Sequence, residues 1–307
     1  MELLIHPEEL SPRWIDLART HGLKRLSIHP WGGKNAHKTL AELVDTLERP
    51  EYRAMIDTLI DGGVEIGYEF HAAAYLLPRE LFESHPEYFR MDEEGNRTPD
   101  RNFCFSNPDA LELVAKNAAL LARRLYRAPH DYYFWLDDAR SGGLCHCPSC
   151  RGRSFADHQL TVMNRMLREI RRDDPEARMC YLAYYESLAV PETVKPDEGI
   201  FLEYAPIDRF RDLGFDLSGE NLRTLKALLD FFGRKDAKVL EYWYDNSLFS
   251  KWKKPPVSFI PDNDAIRKDY AFYRALGFPV LSSFACFLGE DYVALHGEPD
   301  LSAAGEG

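Results

Sequence analysis

Eight short runs of apolar residues recur along the chain, and most of them are separated by segments with helical periodicity. Each run has five to eight residues, the length of a strand buried on both faces. The predicted strands are Glu2–His6, Lys24–His29, Val64–His71, Tyr132–Asp137, Arg178–Tyr184, Ile200–Ala205, Val239–Tyr244 and Pro279–Ala285. Strands and helices that alternate in this way predict an α/β fold, a (β/α)8 TIM barrel.

Capping residues mark the helices between these strands. The predicted N-caps are Ser11, Asn107, Ser154, Ser218 and Asp262. A further amphipathic helix is predicted over residues 51–61, and it ends at Gly62-Gly63. The connection Glu186–Gly199 carries two prolines and shows no clear helical pattern. One of the eight crossovers is therefore expected to be irregular.

The pattern predicts a single domain. We expect the barrel to occupy residues 1–300 and the small, polar residues 301–307 to form a frayed tail. A doubly wound open sheet is the alternative architecture. The glycine-rich phosphate loop expected after the first strand of such a sheet is absent from the sequence, which favours the barrel.

Composition and charge narrow the classes of partner. Hydrophobic residues make up 45% of the 307 residues, with 18 Phe, 16 Tyr and 5 Trp, and the net charge is −12. An acidic chain without a basic run is not expected to bind nucleic acid or an anionic membrane surface. The N-terminal residues do not resemble a signal peptide, and no apolar run reaches 18 residues. We therefore predict a cytoplasmic protein whose six cysteines are reduced or metal-bound.

Two adjacent aspartates end the fourth predicted strand. The segment Asp131–Asp138 reads DYYFWLDD, a buried strand that leads directly into Asp137 and Asp138. Barrel enzymes keep their catalytic groups at the carboxyl ends of the strands. Two close carboxylates also cannot ionise independently, which can supply one acid and one base. Asp137 and Asp138 are thus the predicted catalytic pair; the alternative is that they cap the next loop and remain solvated.

The other predicted strands end in residues that suit a carbohydrate. Aromatic faces pack on the apolar face of a pyranose ring, and carboxylates bind its hydroxyl groups. Because side chains alternate along a strand, only about half of these residues can point into the barrel. The predicted substrate-binding residues are His29, Trp31, Glu69, His71, Tyr184, Glu203, Tyr204, Glu241, Trp243, Asp245 and Asn246. The predicted partner is a glycan or glycoside.

A cysteine motif follows the aspartate pair. Cys145, Cys147 and Cys150 form Cys-x-Cys-x2-Cys, and Cys104 lies on the loop before the helix that leads into the fourth strand. Four thiolates would complete the tetrahedral shell of a structural zinc ion. His146 and His158 are alternative fourth ligands, and unligated thiols in a compact loop are the alternative to a metal. No cofactor is predicted for catalysis, since an all-thiolate site leaves no open position.

The central part of the chain resembles the bacterial glycoside-hydrolase-like barrels of the domain of unknown function 4838 family. The matching segments within about residues 65–210 are His85-Pro-Glu-Tyr-Phe-Arg-Met, Gly95-Asn-Arg97, Phe103-Cys-Phe-Ser-Asn-Pro108 and the cysteine motif preceded by an acidic residue. Some members of that family are endo-β-N-acetylglucosaminidases. The resemblance implies a sugar-cleaving barrel with its acid at the end of the fourth strand.

The segment Trp135-Leu-Asp-Asp138 is also similar to the aspartate pair of O-GlcNAcase-like barrels. That likeness implies that Asp137 orients the acetamido group of the substrate, which itself attacks the anomeric carbon, while Asp138 is the general acid and then the general base. Members of the first family are expected to carry Asn-Asp-Gly here, so Asp138 has a counterpart in them and Asp137 does not. From this sequence we expect no accessory β-domain of the kind that often precedes such barrels.

The leading hypothesis is therefore a glycoside hydrolase that cleaves an N-acetylhexosaminide with retention. Three alternatives stay open. The first is a two-carboxylate glycosidase with Glu203 or Glu241 as nucleophile. The second is a catalytically silent barrel that binds a glycan. The third is a metal-dependent hydrolase that uses the residues at three consecutive strand ends, which are His6, His29 and His71.

Overall fold

Eight parallel strands close into a barrel, which confirms the predicted (β/α)8 fold. The computed structural model describes residues 1–208 and 219–307. The barrel strands are β1 (Glu2–Ile5), β2 (Arg25–Ile28), β3 (Glu65–His71), β6 (Asp131–Trp135), β7 (Arg178–Ala183), β8 (Ile200–Tyr204), β9 (Lys238–Glu241) and β10 (Val280–Phe284). They follow one another around the barrel in chain order, and β10 pairs with β1 to close it. The short strands β4 (Arg90–Met91) and β5 (Arg97–Thr98) form a separate antiparallel pair.

Helices cover the outside of the barrel. They are α1 (Pro12–Thr20), α2 (Ala36–Thr46), α3 (Pro50–Asp61), α4 (Ala73–Leu76), α5 (Pro108–Arg124), α6 (Phe155–Ile170), α7 (Gly219–Phe232), α8 (Asn246–Phe249), α9 (Asn263–Leu276) and α10 (Glu290–His296). Helix α2 is absent from the predicted elements. Between β7 and β8 the described chain forms only the 3-10 turn Tyr185–Ser187, so this crossover is irregular, as expected.

Side chains cap the predicted helix starts. Ser11, Asn107, Ser154 and Asp262 each accept a hydrogen bond from a backbone N–H in the first turn of the helix that follows. Ser218 lies outside the described residues. Helix α9 ends at Gly277, whose φ of 93° is a left-handed conformation that glycine adopts without a steric penalty.

Two apolar layers lie on the two sides of the barrel wall. The outer layer packs strands against helices, and the inner layer fills the barrel. Alternation decides which residue joins which layer: in β9, Leu240 belongs to the inner layer and Val239 to the outer one. Cys180 and Cys286 are buried in the inner layer.

The C-terminal residues differ from the predicted frayed tail. Ser302–Glu306 form a 3-10 helix, and Ala303 and Ala304 are buried. The Met1 ammonium group donates a hydrogen bond of 3.0 Å to the Gly307 carbonyl oxygen. Contacts made by the backbone and by two small side chains therefore order a segment whose composition alone suggests disorder. Among the described residues, no helix is both long enough and apolar enough to cross a membrane.

Candidate active site

A cavity of about 490 Å³ opens at the carboxyl ends of the barrel strands. All eight strands or the loops that follow them contribute to its wall. The lining residues are His6, His29, Trp31, Gly32, Gly33, His71, Trp135, Asp138, Arg140, Leu182, Tyr184, Tyr185, Ala205, Ile207, Leu240, Tyr242, Asp245, Ser247, Leu248, Trp252, Phe284 and Cys286. The volume lies within the range of small-molecule sites, and the position is the one at which barrel enzymes place their active sites.

Asp138 is an exposed carboxylate on the wall of this cavity. Its Oδ1 accepts a hydrogen bond of 3.1 Å from the Tyr184 hydroxyl group at the end of β7. Burial raises the pKa of Tyr184, and the neighbouring Tyr242 and Asp138 raise it further. Tyr184 therefore stays protonated and donates to Asp138 throughout the neutral pH range.

Asp137 points away from the cavity and does not line it. Its carboxylate accepts hydrogen bonds from the backbone N–H groups of Ala74 (3.1 Å) and Asn102 (2.5 Å), and it forms an ion pair with Arg79. The Asp137 backbone N–H in turn donates to Asn102 Oδ1 at 2.9 Å. The two adjacent aspartates thus lie in two different environments.

Three histidines form a regular row on the cavity wall. The Nδ1 atoms of His6, His29 and His71 lie 2.8, 2.7 and 2.5 Å from the carbonyl oxygens of His29, Glu69 and Leu136, respectively. A carbonyl oxygen can only accept, so each Nδ1 carries the proton and a neutral ring keeps Nε2 as an acceptor. Burial lowers the pKa of both His6 and His29, which keeps these two rings neutral.

The histidine row is not arranged as a metal site. The ring centroids are 6.0 Å apart for His6 and His29 and 6.5 Å apart for His29 and His71. Within residues 1–208 and 219–307, only the four predicted cysteines bring three or more potential ligand atoms to within 4.8 Å of one another. The arrangement does not favour the hypothesis of a metal-dependent hydrolase.

Aromatic rings form much of the remaining wall. Trp31 stacks on His6 with ring centroids 4.7 Å apart and an interplanar angle of 10°. Tyr242 stacks on Phe284, which also contacts His29, with ring centroids 5.1 Å apart. Flat apolar faces combined with neutral acceptors suit a ring that has both apolar C–H faces and hydroxyl donors, as a sugar does.

A buried network of charges lies in the barrel beneath the cavity. Lys238 Nζ lies 2.6 Å from Glu69 and 3.3 Å from Glu203, and all three side chains are almost inaccessible to solvent. Glu203 Oε2 also accepts hydrogen bonds from the Trp135 indole at 2.9 Å and the Cys180 thiol at 3.2 Å. Burial outweighs Lys238 and raises the pKa of Glu203 to about 8. Glu69 and Glu203 therefore support the cavity without lining it.

Four other predicted substrate-binding residues lie away from the cavity. Tyr204 and Trp243 belong to the outer apolar layer, and Trp243 donates to Asp269 at 2.8 Å. Glu241 accepts a hydrogen bond of 2.5 Å from Tyr273 of α9, and Asn246 donates to two backbone carbonyl groups. The predicted residues that the structure brings together on the wall are His29, Trp31, His71, Asp138, Tyr184 and Asp245.

Several lining residues are missing from the predicted set. Tyr242 lies two residues after Leu240, and Trp135 lies two residues after Tyr133. Side chains two positions apart on a strand point to the same side, so the inward direction of Leu240 and Tyr133 could have identified both residues. Arg140 and Trp252 come from loops, where no periodicity indicates the direction of a side chain. These loop residues carried no signal in the sequence.

The fold and the cavity define a class of protein: a TIM barrel with a sugar-sized site at the carboxyl ends of its strands. Residues 37–283 match the family described as "Domain of unknown function (DUF4838)", and the chain belongs to this family. No curated protein matches the chain.

Solved structures with a similar fold include carbohydrate-active enzymes. Endo-glycoceramidase II from Rhodococcus sp. is 13% identical with a TM-score of 0.52, and the match covers 92% of this chain and 72% of that one. A β-galactosidase from Rahnella sp. R3 is also 13% identical with a TM-score of 0.52, and the match covers 92% of this chain but 50% of that one. At such low identity the likeness establishes the barrel fold.

Proposed function

We propose that this chain is a glycoside hydrolase that uses Asp138 as its general acid and general base. The observation that carries the proposal is the position of Asp138. It is an exposed carboxylate, held by Tyr184, on the wall of a cavity of about 490 Å³ built from neutral imidazoles and aromatic faces. The similarly folded endo-glycoceramidase II, which has been solved in complex with ganglioside GM3, supports a carbohydrate as the substrate.

In the proposed reaction, Asp138 donates its proton to the glycosidic oxygen as the bond to the leaving group breaks. It then removes a proton from the water molecule that attacks the anomeric carbon. Tyr184 donates to Oδ1, so Oδ2 is the oxygen that we assign to proton transfer. The zinc ion predicted from the sequence is a separate proposal, because the four cysteines do not line the cavity.

We further propose that the substrate is an N-acetylhexosaminide and that its acetamido group acts as the nucleophile, which gives retention. This mechanism needs one open protein acid, and Asp138 meets that need. Asp245, the other carboxylate among the described residues of the wall, is buried and accepts hydrogen bonds from the Ser247 backbone and hydroxyl at 3.0 and 2.5 Å. His71 contacts the strand end that carries Asp138, since its Nδ1 donates to the carbonyl oxygen of Leu136. We assign the acetamide N–H to its Nε2.

Asp137 has a different role in this proposal from the one that the family likeness implies. Its carboxylate already accepts from Arg79, Ala74 and Asn102, so little acceptor capacity is left for a substrate. We propose that Asp137 is a positioning residue. It fixes the backbone at the residue before Asp138 and thereby sets the direction of the acid.

A two-carboxylate mechanism is the second candidate, with Asp245 as nucleophile in place of Glu203 or Glu241. Two observations favour keeping it. Asp245, Asp138 and Tyr242 all line the cavity, and burial raises the pKa of Tyr242, which the two carboxylates raise further. The similarly folded endo-glycoceramidase II has also been solved as a lactosyl-enzyme intermediate. A nucleophilic Asp245 would form the corresponding bond here.

A panel of aryl glycosides, assayed with and without an N-acetylhexosamine thiazoline, separates these mechanisms. The proposal predicts hydrolysis of N-acetylhexosaminides, competition by the thiazoline and negligible hydrolysis of plain glucosides and galactosides. Equal rates on plain and N-acetylated sugars would exclude substrate assistance and leave the Asp245 mechanism. Sugar binding by calorimetry without turnover on any member of the panel would instead identify a glycan-binding barrel.

A further inference from the structure

Four buried cysteines meet outside the cavity, where β4, β5 and the loop after β6 come together. Cys104 Sγ lies 3.6 Å from Cys147 Sγ and 3.9 Å from Cys150 Sγ, and the four sulfur atoms, including that of Cys145, lie within 4.8 Å of one another. A zinc ion with Zn–S bonds of about 2.3 Å separates its tetrahedral sulfur ligands by roughly 3.8 Å. A disulfide would need about 2.05 Å. The spacing fits four ligands of one ion.

Two groups beside the cluster donate to sulfur. The Met91 backbone N–H donates to Cys145 Sγ at 3.3 Å, and the Arg97 guanidinium lies 3.8 Å from the same atom. Backbone N–H groups and a cation stabilise thiolates, and contacts of this kind surround the ligands of structural metal sites. Packing of four neutral thiols would not require them.

We propose that Cys104, Cys145, Cys147 and Cys150 bind one structural zinc ion, and that this ion fixes the loop that carries the catalytic acid. Four thiolates fill a tetrahedral shell and leave no position for water or substrate. The ion would join the chain before α5, which carries Cys104, to the loop between β6 and α6, which carries the other three.

The same two segments meet a second time, next to Asp138. Asn102, two residues before Cys104, donates from its backbone to Asp137 Oδ2 at 2.5 Å and from its side chain to the Gly143 carbonyl at 3.2 Å. Gly143 lies two residues before Cys145. The Asn102 backbone has a φ of 45°, a region that non-glycine residues seldom adopt, so contacts on both sides must hold it. The zinc ion would supply these restraints two residues away on each segment.

The metal half of the proposal is tested without any substrate. Protein purified without a histidine tag should contain about one zinc per chain by mass spectrometry. Cobalt substitution should give thiolate-to-cobalt charge-transfer bands and the intense d–d bands of a tetrahedral site. Cys104→Ser and Cys150→Ser should lose the ion, while Cys180→Ser, outside the cluster, should keep it. A disulfide within the cluster, or full zinc content in both cluster variants, would overturn the site.

The positioning half rests on the proposed function of Asp138, and hydrogen exchange tests it independently of activity. Removal of zinc should increase deuterium uptake in residues 98–106 and 137–153, while β1 and β9 keep their protection. Unchanged deuterium uptake in residues 137–143 would contradict the proposal that the zinc ion fixes this loop. It would not contradict the proposal of a metal site. A chain without glycosidase activity would still give this result, so failure of the proposed function remains distinguishable.

Gly143→Ala addresses the case in which zinc removal unfolds the whole chain. A Cβ atom at Gly143 would lie 2.8 Å from Asn102 Nδ2 and 3.0 Å from Glu186 Oε2, so the contact between the two segments must shift. The variant should keep its zinc and lose about tenfold to a hundredfold in kcat, because the acid is displaced while the binding groups remain. Wild-type kcat in a zinc-containing Gly143→Ala protein would contradict the coupling.

Discussion

Asp137 and Asp138 are neighbours in the chain, yet they belong to two regions that differ in almost every physical respect. On the scaffold side, Asp137 is satisfied by a guanidinium group and two backbone N–H groups, close to the cysteine cluster. On the cavity side, Asp138 is exposed and accepts a hydrogen bond from Tyr184. One strand end therefore supplies a carboxylate that holds the loop and another that remains available for proton transfer.

The difference arises because β6 ends at Trp135. Had the strand continued, alternation would have turned Asp137 inward with Tyr133 and Trp135, and Asp138 outward. Instead the chain leaves the strand, and the contacts of Asp137 with Arg79 and Asn102 turn it to the scaffold side. The division of roles is a consequence of tertiary contacts, and the following variants test it.

Asp138→Asn is expected to have the largest effect. A general acid contributes about 10²- to 10⁴-fold in rate, and the variant should lose that factor in kcat on a substrate with a poor leaving group. Its stability should change by no more than about 0.5 kcal/mol, since Asp138 is exposed. Steady-state kinetics and urea denaturation measure the two quantities. A stability loss larger than the loss in transition-state stabilisation would assign Asp138 to the scaffold.

Asp137→Ala should show the opposite result, with a large loss of stability and a smaller effect on kcat. It leaves Arg79, which is 17% exposed, without its partner, and removal of one member of a largely buried ion pair costs about 3 kcal/mol of stability. Arg79→Met removes the other member and should give a similar loss. Urea denaturation of both variants, with Asp138→Ala as the exposed control, checks this. Equal midpoints for the three variants would contradict a scaffold role for Asp137.

Tyr184→Phe is expected to have a smaller effect, confined to the cavity side. Loss of a hydrogen bond to a charged group is worth about 1.5 kcal/mol, so kcat/KM should fall about tenfold. Because the pKa of Tyr184 is raised well above its usual value, the wild-type tyrosine does not ionise in the assay range. The ratio of wild-type to variant rates should therefore be constant from about pH 5 to about pH 9, and a ratio that collapses toward the alkaline end would contradict this assignment.

The last prediction concerns the buried network beneath the cavity and the pH dependence of stability. The pKa of Glu203 is raised to about 8, so between about pH 4.5 and about pH 8 the folded state holds a proton that the unfolded state releases. The contribution of Glu203 to stability should fall as the pH rises through this window, by at most ~1.4 kcal/mol per pH unit, and level off above it. Glu203→Gln should remove that slope. The part due to Glu9, whose pKa is also raised to about 8, should remain. An unchanged slope in the variant would show that Glu203 is charged throughout.

The fold could be predicted because each strand is a buried apolar run and each predicted helix has a local start or stop signal. Helix α2 is missing from the predictions although Asn35, a residue type favoured at N-caps, precedes it; in the structure Asn35 makes no side-chain capping bond. Residues at the carboxyl ends of the strands were harder to predict. Glu69 and Glu203 point inward as expected, yet they lie one layer too deep to line the cavity, because depth depends on how the closed barrel staggers its strands.

Other parts of the site depended on information that one strand does not contain. Tyr204 and Trp243 have aromatic rings suited to a sugar, but their parity places them in the outer layer. The cysteine cluster was predictable because three of its members share one loop, and the fourth, Cys104, lies on the loop before α5. Which aspartate faces the cavity was not predictable, since the choice is made after the strand ends.

The dependence of kcat/KM on the leaving group tests the central claim most directly. A series of aryl glycosides with phenols of decreasing acidity should be hydrolysed by wild-type protein, Asp138→Asn and Asp137→Asn. A leaving group that departs as a stable anion needs no proton, so only Asp138→Asn should show a steep dependence, with near wild-type rates on the most acidic phenol. The Asp137→Asn series should run parallel to that of the wild type. A steep dependence of kcat/KM on the leaving group for Asp137→Asn, together with a dependence parallel to that of the wild type for Asp138→Asn, would reverse the roles of the two aspartates. That result would contradict this account.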